Sequence, residues 1–241
     1  MSGHSKWNNI KHKKEKTDAA KAGIFTKIGK EIAVAVRAGG GDPSTNSKLR
    51  DLIAKAKANN VPNDNIERAI RKALEKGSTA YEEMTYEGYG PGGVAVIVEA
   101  ATDSKNRTAG DVRHFFSKFG GNLGTMGCVS FLFSEKGVIL IEDEDGKIDE
   151  DALMEAALEA GASDFEGADG LFEIYTEPDD VYAISEALTE QGYAIASAER
   201  AKIPSTYVTL TAEHDIEFMQ LLLDKLEECD DITNVYHNWE A

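Results

Sequence analysis

The first third of the chain repeats its hydrophobic residues at the spacing of amphipathic helices. Within residues 18–37, apolar side chains recur at every fourth position, at Ile24, Ile28, Ile32 and Val36. Residues 46–58 and 63–76 continue with spacings of three and four, and their apolar positions are Leu49, Leu52, Ile53, Ala56, Ile66, Ala69, Ile70 and Ala73. Glycine or proline follows each run, and Asn63 is the predicted N-cap of the third. The pattern predicts three helices packed as one domain.

After Thr79 the hydrophobic pattern changes to alternating or continuous β-rich runs. Two predicted strands, "YEEMTYEGYG" and "GGVAVIVEA", precede a helix at "RTAGDVRHFFSKFG" and a strand at "CVSFLF". The next elements are predicted as a strand at 137–142, a helix at 149–161, strands at 163–166 and 171–176, a helix at 179–191 and a strand at 193–200. This βαββαβ order is that of a ferredoxin-like domain.

The residues after "KIPST" hold too few elements for a domain of their own. They predict a strand, a helix with Ile216, Met219, Leu223 and Leu226 facing inward, and a last strand at "TNVYHN". We therefore expect this tail to share a sheet with the preceding ββαβ unit. The predicted fold is α+β: a three-helix basic N-terminal domain (1–78) followed by two α/β domains, a discontinuous one (79–134 plus 204–241) and a ferredoxin-like one inserted into it (135–203).

Charge is strongly segregated along this chain. The first 76 residues contain 17 Lys and Arg and 8 Asp and Glu, a net charge of +9, whereas the remainder contains 9 basic and 35 acidic residues, a net charge of −26. An acidic body repels polyanions and lets only the basic end approach them. The pattern favours nucleic-acid binding, and the alternative is a solvated charged face.

The basic start of the chain, residues 3–16, combines five lysines with two histidines and a tryptophan. Lysines bind phosphates without regard to sequence, and Trp7 offers a stacking face to an unpaired base. The alternative is that Trp7 packs on the helices. The contacts predicted in this stretch are His4, Ser5, Lys6, Trp7, Lys11, His12, Lys13, Lys14 and Lys16.

Two further groups of cations are predicted to contact nucleic acid. Lys27, Lys30, Arg68, Arg71 and Lys72 belong to the helical domain, and the last three lie opposite the apolar stripe of the third helix. A second cluster, Lys105, Arg107 and Arg113, stands at the start of a later helix, whose free amides favour a phosphate. The alternatives are an ordinary charged helix start and ion pairs with the acidic body.

No feature of the sequence predicts catalysis, a cofactor or a metal. "GYGPGG" satisfies the dinucleotide pattern G-x-G-x-x-G, but a β-rich run follows it where a helix is needed, so we expect a hairpin turn. The acidic stretch "EDEDGKIDEDA" lacks calcium-loop spacing and predicts a solvated loop. Cys128 and Cys229 are expected to be buried thiols in a reducing compartment. With no apolar signal core or membrane span, we expect a cytoplasmic protein.

Six ordered motifs resemble the YebC/PmpR family: "GHSKWNNIKHKK", "IFTKIGKEI", "GGGDPSTNSKLR", "YEGYGPGGVAVIVEA", "NRTAGDVRHFFSKFGGNLG" and "CVSFLF". The resemblance continues to "VYHN" and implies a helical N-terminal domain with two α/β domains. Bacterial members are generally described as DNA-binding transcriptional regulators. Mitochondrial relatives are translational activators of cytochrome oxidase, and bacterial members have been linked to ribosomes stalled on proline-rich nascent chains. The resemblance implies no enzymatic activity.

The resemblance and the charge pattern agree on nucleic acid but leave its kind open. An operator-binding protein needs a recognition helix, usually presented by a symmetric dimer, and nothing in the sequence marks a dimer face. A ribosome-bound factor needs a basic, aromatic tip and an acidic body. We therefore expect a monomeric translation factor that binds ribosomal RNA. A DNA-binding transcriptional regulator is the alternative.

Overall fold

A computed structural model describes residues 18–59, 61–143, 146–168 and 170–240. The predicted α+β class is confirmed: a helical N-terminal region precedes sheet-containing domains. In chain order the described elements are α1 (Asp18–Gly39), α2 (Ser47–Ala58), α3 (Asn63–Leu74), β1 (Glu82–Tyr89), β2 (Ala95–Thr102), α4 (Lys105–Lys118), β3 (Asn122–Leu123), β4 (Phe133–Glu142), α5 (Glu150–Ala160), β5 (Asp164–Ala168), β6 (Leu171–Thr176), α6 (Val181–Glu190), β7 (Ile195–Pro204), β8 (Val208–Thr209), α7 (Glu213–Glu228), β9 (Ile232–His237) and β10 (Trp239–Glu240).

Helices α1 to α3 pack through the stripes that the sequence predicts. Ile28, Ile32 and Val36 of α1 are buried in one cluster with residues of α2 and α3. The turn between α1 and α2 is held by the side chain of buried Asn46. Its Oδ1 accepts the Leu49 N–H and so caps α2, and its Nδ2 donates to the Ala35 carbonyl at 2.9 Å. The predicted N-cap of α3 is wrong by one residue: Pro62 occupies that position. Proline has no side-chain acceptor, so no side-chain cap is made there.

The first sheet has the strand order β3-β1-β2-β9. Strands β1 and β2 form an antiparallel hairpin in which Tyr89 pairs with Ala95, so the "GYGPGG" segment is the predicted turn. Gly92 and Gly93 of this turn have φ angles of +64° and +82°, which glycine adopts without strain. Helices α4 and α7 cover one face of this sheet, and strand β9 from the end of the chain completes its edge.

The second sheet has the order β5-β6-β4-β7, and all its pairs are antiparallel. With its strands counted along the chain, this order is second, third, first and fourth, as in a ferredoxin-like βαββαβ unit. Helices α5 and α6 pack on it over the strand residues Ile139, Ile141 and Ile174. The three-domain division with limits at 78, 134 and 203 stays a prediction. Strands β4 and β7 extend beyond the last two limits and pair Phe133 with Pro204.

Three other sequence predictions of local structure are wrong. "CVSFLF" is a loop with a short 3₁₀ turn at Ser130–Leu132, and strand β4 begins only at Phe133. The strand expected after "KIPST" is the two-residue β8, which pairs with β10 rather than with either four-stranded sheet. Ile216 of α7 is 38% exposed, whereas Leu222, which was not predicted to face inward, is fully buried.

Two other expectations concern membranes and thiols. Among the helices of the described ranges, none is both long and apolar enough to cross a bilayer. Cys128 and Cys229 are free but only partly buried. Burial, followed by the nearby Glu87 charge, raises the pKa of the Cys128 thiol, so the thiol favours its neutral form.

Candidate nucleic-acid interface

The predicted contacts from His4 to Lys16 lie outside the described residues and stay predictions. The other eight predicted contacts lie within them, and their surroundings differ. Three are exposed on α3, two connect α1 to residues 227–231 at the end of α7 and before β9, and three belong to α4.

Helix α3 presents the exposed cations Arg68, Arg71 and Lys72 opposite its buried stripe. Arg68 and Lys72 also line a groove of about 450 Å³ between α1 and α3, whose walls include the aromatic residues Phe25 and Tyr81. Cations beside an aromatic, concave surface are what a nucleotide needs for its phosphate and its base. The structure therefore gives these predicted contacts a surface that suits nucleic acid.

The start of α3 is negatively charged, in contrast to the cations that follow it. Asp64 and Glu67 are exposed in its first half, and the cations follow from Arg68 onward. DNA-recognition helices contact base edges with their N-terminal residues and lie between two rows of phosphates. Two exposed carboxylates at that end oppose insertion of α3 into a major groove.

Lys27 and Lys30 of α1 both have partners within the molecule. The Lys30 ammonium lies 2.7 Å from the Asp231 carboxylate and donates to the Asp230 carbonyl at 2.9 Å. The Lys27 ammonium donates to the Glu227 carbonyl. The Lys30 side chain is only 12% exposed, so it serves the contact between α1 and the first sheet.

Asp231 collects this polar network where the chain enters β9. Its second carboxylate oxygen accepts from Arg107 at 2.6 Å and from the Thr108 hydroxyl at 2.9 Å, while Lys30 binds the first. Burial alone would raise the pKa of the Asp231 carboxyl, but hydrogen bonds from Lys30, Arg107 and Thr108 outweigh it and hold the pKa well below its ordinary value. Asp231 is therefore ionised at neutral pH and joins α1, α4 and β9.

Most of the second predicted cation cluster is also paired. Lys105 lies 2.6 Å from Glu82, and Arg107 binds Asp103 at 2.8 Å as well as Asp231. Carboxylates thus already neutralise the cations at the start of α4, where a phosphate was expected. Arg113, farther along the helix, is exposed. The role of these residues in binding stays a prediction.

A larger cleft, of about 710 Å³, opens between α2, the first sheet and strand β7. Arg200 of β7 binds Asp51 of α2 and Asp179 at 2.8 Å each. Burial raises the pKa of Asp51 although Arg200 opposes the shift. Carboxylates outnumber cations in the lining, so the cleft disfavours a phosphate and serves as an ionic contact between the helices and the two sheets. No described group of His, Cys, Asp and Glu is arranged to hold a metal ion.

One surface was missed by the sequence analysis, the Glu87 loop, which we define as residues 124–132. Glu87 of β1 is buried, and its carboxylate accepts backbone N–H groups of the loop. The apolar residues of "CVSFLF" predict a strand. Hydrophobic periodicity does not show that the backbone amides of this segment bond to a side chain. Glycines at 124 and 127 and an acid within a half-buried strand were the only available signals.

The chain matches two family models. Residues 5–76 match a model described as the TACO1/YebC protein N-terminal domain, and residues 81–239 match one described as the TACO1/YebC second and third domain.

Individual relatives match over almost the full length of the chain. A "probable transcriptional regulatory protein" of Acetivibrio thermocellus is 62% identical over 240 residues, which cover 99% of each chain. A protein of the same description from Ruminiclostridium cellulolyticum is 58% identical over 241 residues, covering 100% of this chain and 97% of the relative. The crystal structure of a conserved hypothetical protein from Aquifex aeolicus superimposes with a TM-score of 0.82 at 43% identity, over 93% of this chain and 92% of the other.

Proposed function

This chain belongs to the TACO1/YebC family, and we propose that it is a non-enzymatic regulator of gene expression that binds nucleic acid, preferentially ribosomal RNA. The family membership confirms the resemblance seen in the motifs. The observation that carries the proposal is the charge difference between the first 76 residues, at +9, and the remainder, at −26. A protein so divided approaches a polyanion with its basic end.

The exposed surface of α3 supports this proposal at the level of side chains. Lys27 and Lys30 contribute to internal contacts, so the predicted contacts of the helical region that remain exposed to an external phosphate are Arg68, Arg71 and Lys72. The groove beside Arg68 and Lys72 adds aromatic walls to these charges. Together they form a small basic surface that suits single-stranded or irregular RNA.

A second candidate function is sequence-specific binding of duplex DNA. The curated relatives are named probable transcriptional regulatory proteins, which favours this alternative. Asp64 and Glu67 at the start of α3 favour RNA, since they would face the phosphates flanking a major groove. We therefore retain RNA as the preferred target.

The proposal is tested by removing the charges of α3 in the full chain. Arg68→Gln, Arg71→Gln and Lys72→Gln together should weaken binding to single-stranded RNA. The slope of log K against log salt should become shallower by about 0.7 for each phosphate that the variant no longer binds. The matched control is the triple change Lys136→Gln, Lys147→Gln and Lys225→Gln, which removes the same charge from the acidic body.

The two triple variants separate a local surface from an effect of net charge. Equal reductions of affinity in both would contradict an RNA-binding surface on α3. DNA becomes the target if a promoter-sized duplex is bound ~10³-fold more tightly than random duplex while ribosomes do not co-sediment with the protein.

A further inference from the structure

The Glu87 loop is held rigidly by a buried carboxylate. Glu87 is 4% exposed, and its two oxygens accept the N–H groups of Gly127, Val129 and Ser130, each at 2.9 Å. Burial would raise the pKa of the Glu87 carboxyl, but these amide hydrogen bonds outweigh it and lower the pKa. The carboxylate is therefore charged at neutral pH, and the backbone of the loop is ordered around it.

The side chains of this loop divide sharply between inside and outside. Val129 is fully buried against the first sheet, whereas Met126 is 81% and Phe131 73% exposed. Among the described residues these two are the most exposed large apolar side chains. Tyr89 is 39% exposed beside them and donates its hydroxyl to the Cys128 carbonyl at 3.1 Å.

The two exposed side chains, Met126 and Phe131, add little packing energy to the fold. A buried charge costs several kcal/mol of desolvation unless hydrogen bonds offset it, and ordering the backbone costs about 1–2 kcal/mol per residue. Val129, with the partly buried Cys128 and Leu132 beside it, anchors the loop to the core. Large apolar side chains held outward in a fixed arrangement are typical of a binding surface.

The charge of the surrounding segment indicates the kind of partner. Residues 112–134 contain no Asp or Glu, although the chain after Lys76 has 35 acidic and 9 basic residues. Within this segment, α4 exposes Arg113, His114 and Lys118. Helix α4 lies next to the start of the loop, because its Phe116 ring lies against Gly121. An apolar protein partner does not require the exclusion of acids, whereas a polyanion does.

We propose that the Glu87 loop binds unpaired bases of RNA, with Phe131 as a stacking surface, Met126 as an apolar side chain that inserts between bases, and Arg113 and Lys118 of α4 as phosphate contacts. The proposal rests on the proposed function and places a second RNA contact on the body of the protein. Aromatic side chains stack on any unpaired base, and apolar side chains such as Met insert between base steps. Because Glu87 orders the loop before binding, little conformational entropy is lost on contact.

The test uses the full chain, a single-stranded RNA of about 20 nucleotides and an RNA duplex of the same length. Met126→Ala with Phe131→Ala should weaken binding to the single strand about tenfold to a hundredfold, since each stacked base contributes about 1–3 kcal/mol. Binding to the duplex should be unchanged, because its bases have no free faces. The control is Met154→Ala with Leu158→Ala, which removes two exposed apolar side chains from α5.

Each outcome decides the proposal. Unchanged single-strand binding, or equal reductions on single strand and duplex, would overturn it while leaving the proposed function intact, since the α3 variants test that function separately. In a third outcome, the double variant binds RNA normally but loses a crosslink to another protein that the unaltered chain makes through Phe131. That result would overturn the proposal in favour of a protein partner. If the unaltered chain binds no RNA at all, both proposals fail. Both side chains are exposed, so their removal should leave the fold intact. Equal thermal unfolding midpoints of the double variant and the unaltered chain check this.

Discussion

Two buried carboxylates of the first sheet, Asp231 and Glu87, hold the molecule together in opposite ways. Asp231 binds cationic side chains, Lys30 from α1 and Arg107 from α4, and thereby draws these charges into an internal contact. Glu87 binds mainly backbone amides, and so orders a loop whose Met126 and Phe131 side chains face outward. A charged side chain is available to an external ligand only when no group of the opposite charge within the molecule already binds it.

The two carboxylates also differ in the range over which they stabilise the fold. Asp231 joins residues that are some 200 positions apart in the chain, whereas Glu87 bonds to amides about 40 positions away. Removal of the first should loosen the attachment of the helical region, and removal of the second should loosen one loop. Substitutions at the two positions should therefore differ in both size and extent of effect.

The largest expected effect follows from Asp231→Asn. The change leaves Lys30, which is 12% exposed, without its anionic partner, and we expect a loss of about 3–5 kcal/mol in the free energy of unfolding by urea. Asp230→Asn is the matched control, because Lys30 binds only the backbone carbonyl of Asp230. A loss below about 1 kcal/mol in Asp231→Asn would show that Asp231 does not dominate the contact.

A smaller effect is expected from Glu87→Gln. Glutamine replaces one carboxylate oxygen by an NH₂ group, which faces the N–H donors of the loop and cannot accept from them. We therefore expect a loss of about 2 kcal/mol in the free energy of unfolding. Hydrogen exchange should accelerate at Gly127, Val129 and Ser130 while the core of β2 stays protected. Glu83→Gln on the same strand is the control, and equal exchange in the two variants would contradict the role of Glu87.

The pH dependence of stability should report on Asp231. Its folded pKa is depressed, so its stabilisation is complete above the unfolded pKa of about 3.9 and is lost as the pH falls towards the folded pKa. Between pH 6 and pH 3.5 the unaltered chain should lose about 0.7 kcal/mol more than Asp231→Asn. Urea titrations at both pH values measure the difference, and equal losses would mean that another carboxyl dominates.

The smallest effect is expected from Lys48→Gln. Lys48 of α2 pairs with Glu83 of β1, but both side chains are about half exposed, and water screens the attraction. We expect a change of about 0.3 kcal/mol in unfolding free energy. A loss comparable with that of Asp231→Asn would show that exposed pairs also fix the helical region to the first sheet.

Much of the fold follows from local patterns in the sequence. The helical stripes of α1, α2 and α3, the hairpin at "GYGPGG" and the βαββαβ succession of elements around the second sheet were all predicted, because burial requires periodic apolar positions. The segment "CVSFLF" was wrongly predicted as a strand, since its apolar residues look the same whether their amides bond to a strand or to Glu87. Periodicity describes side chains and not the partners of the backbone.

The sequence by itself determined the class of the fold, the family and the contrast between a basic start and an acidic body. Only the tertiary structure decided which charges are available to a partner: Lys30 meets Asp231, whereas Arg68 and Arg71 stay exposed on α3. The physical reason is that an ion pair depends on distance and desolvation, and residues far apart in the chain acquire both only when the chain has folded.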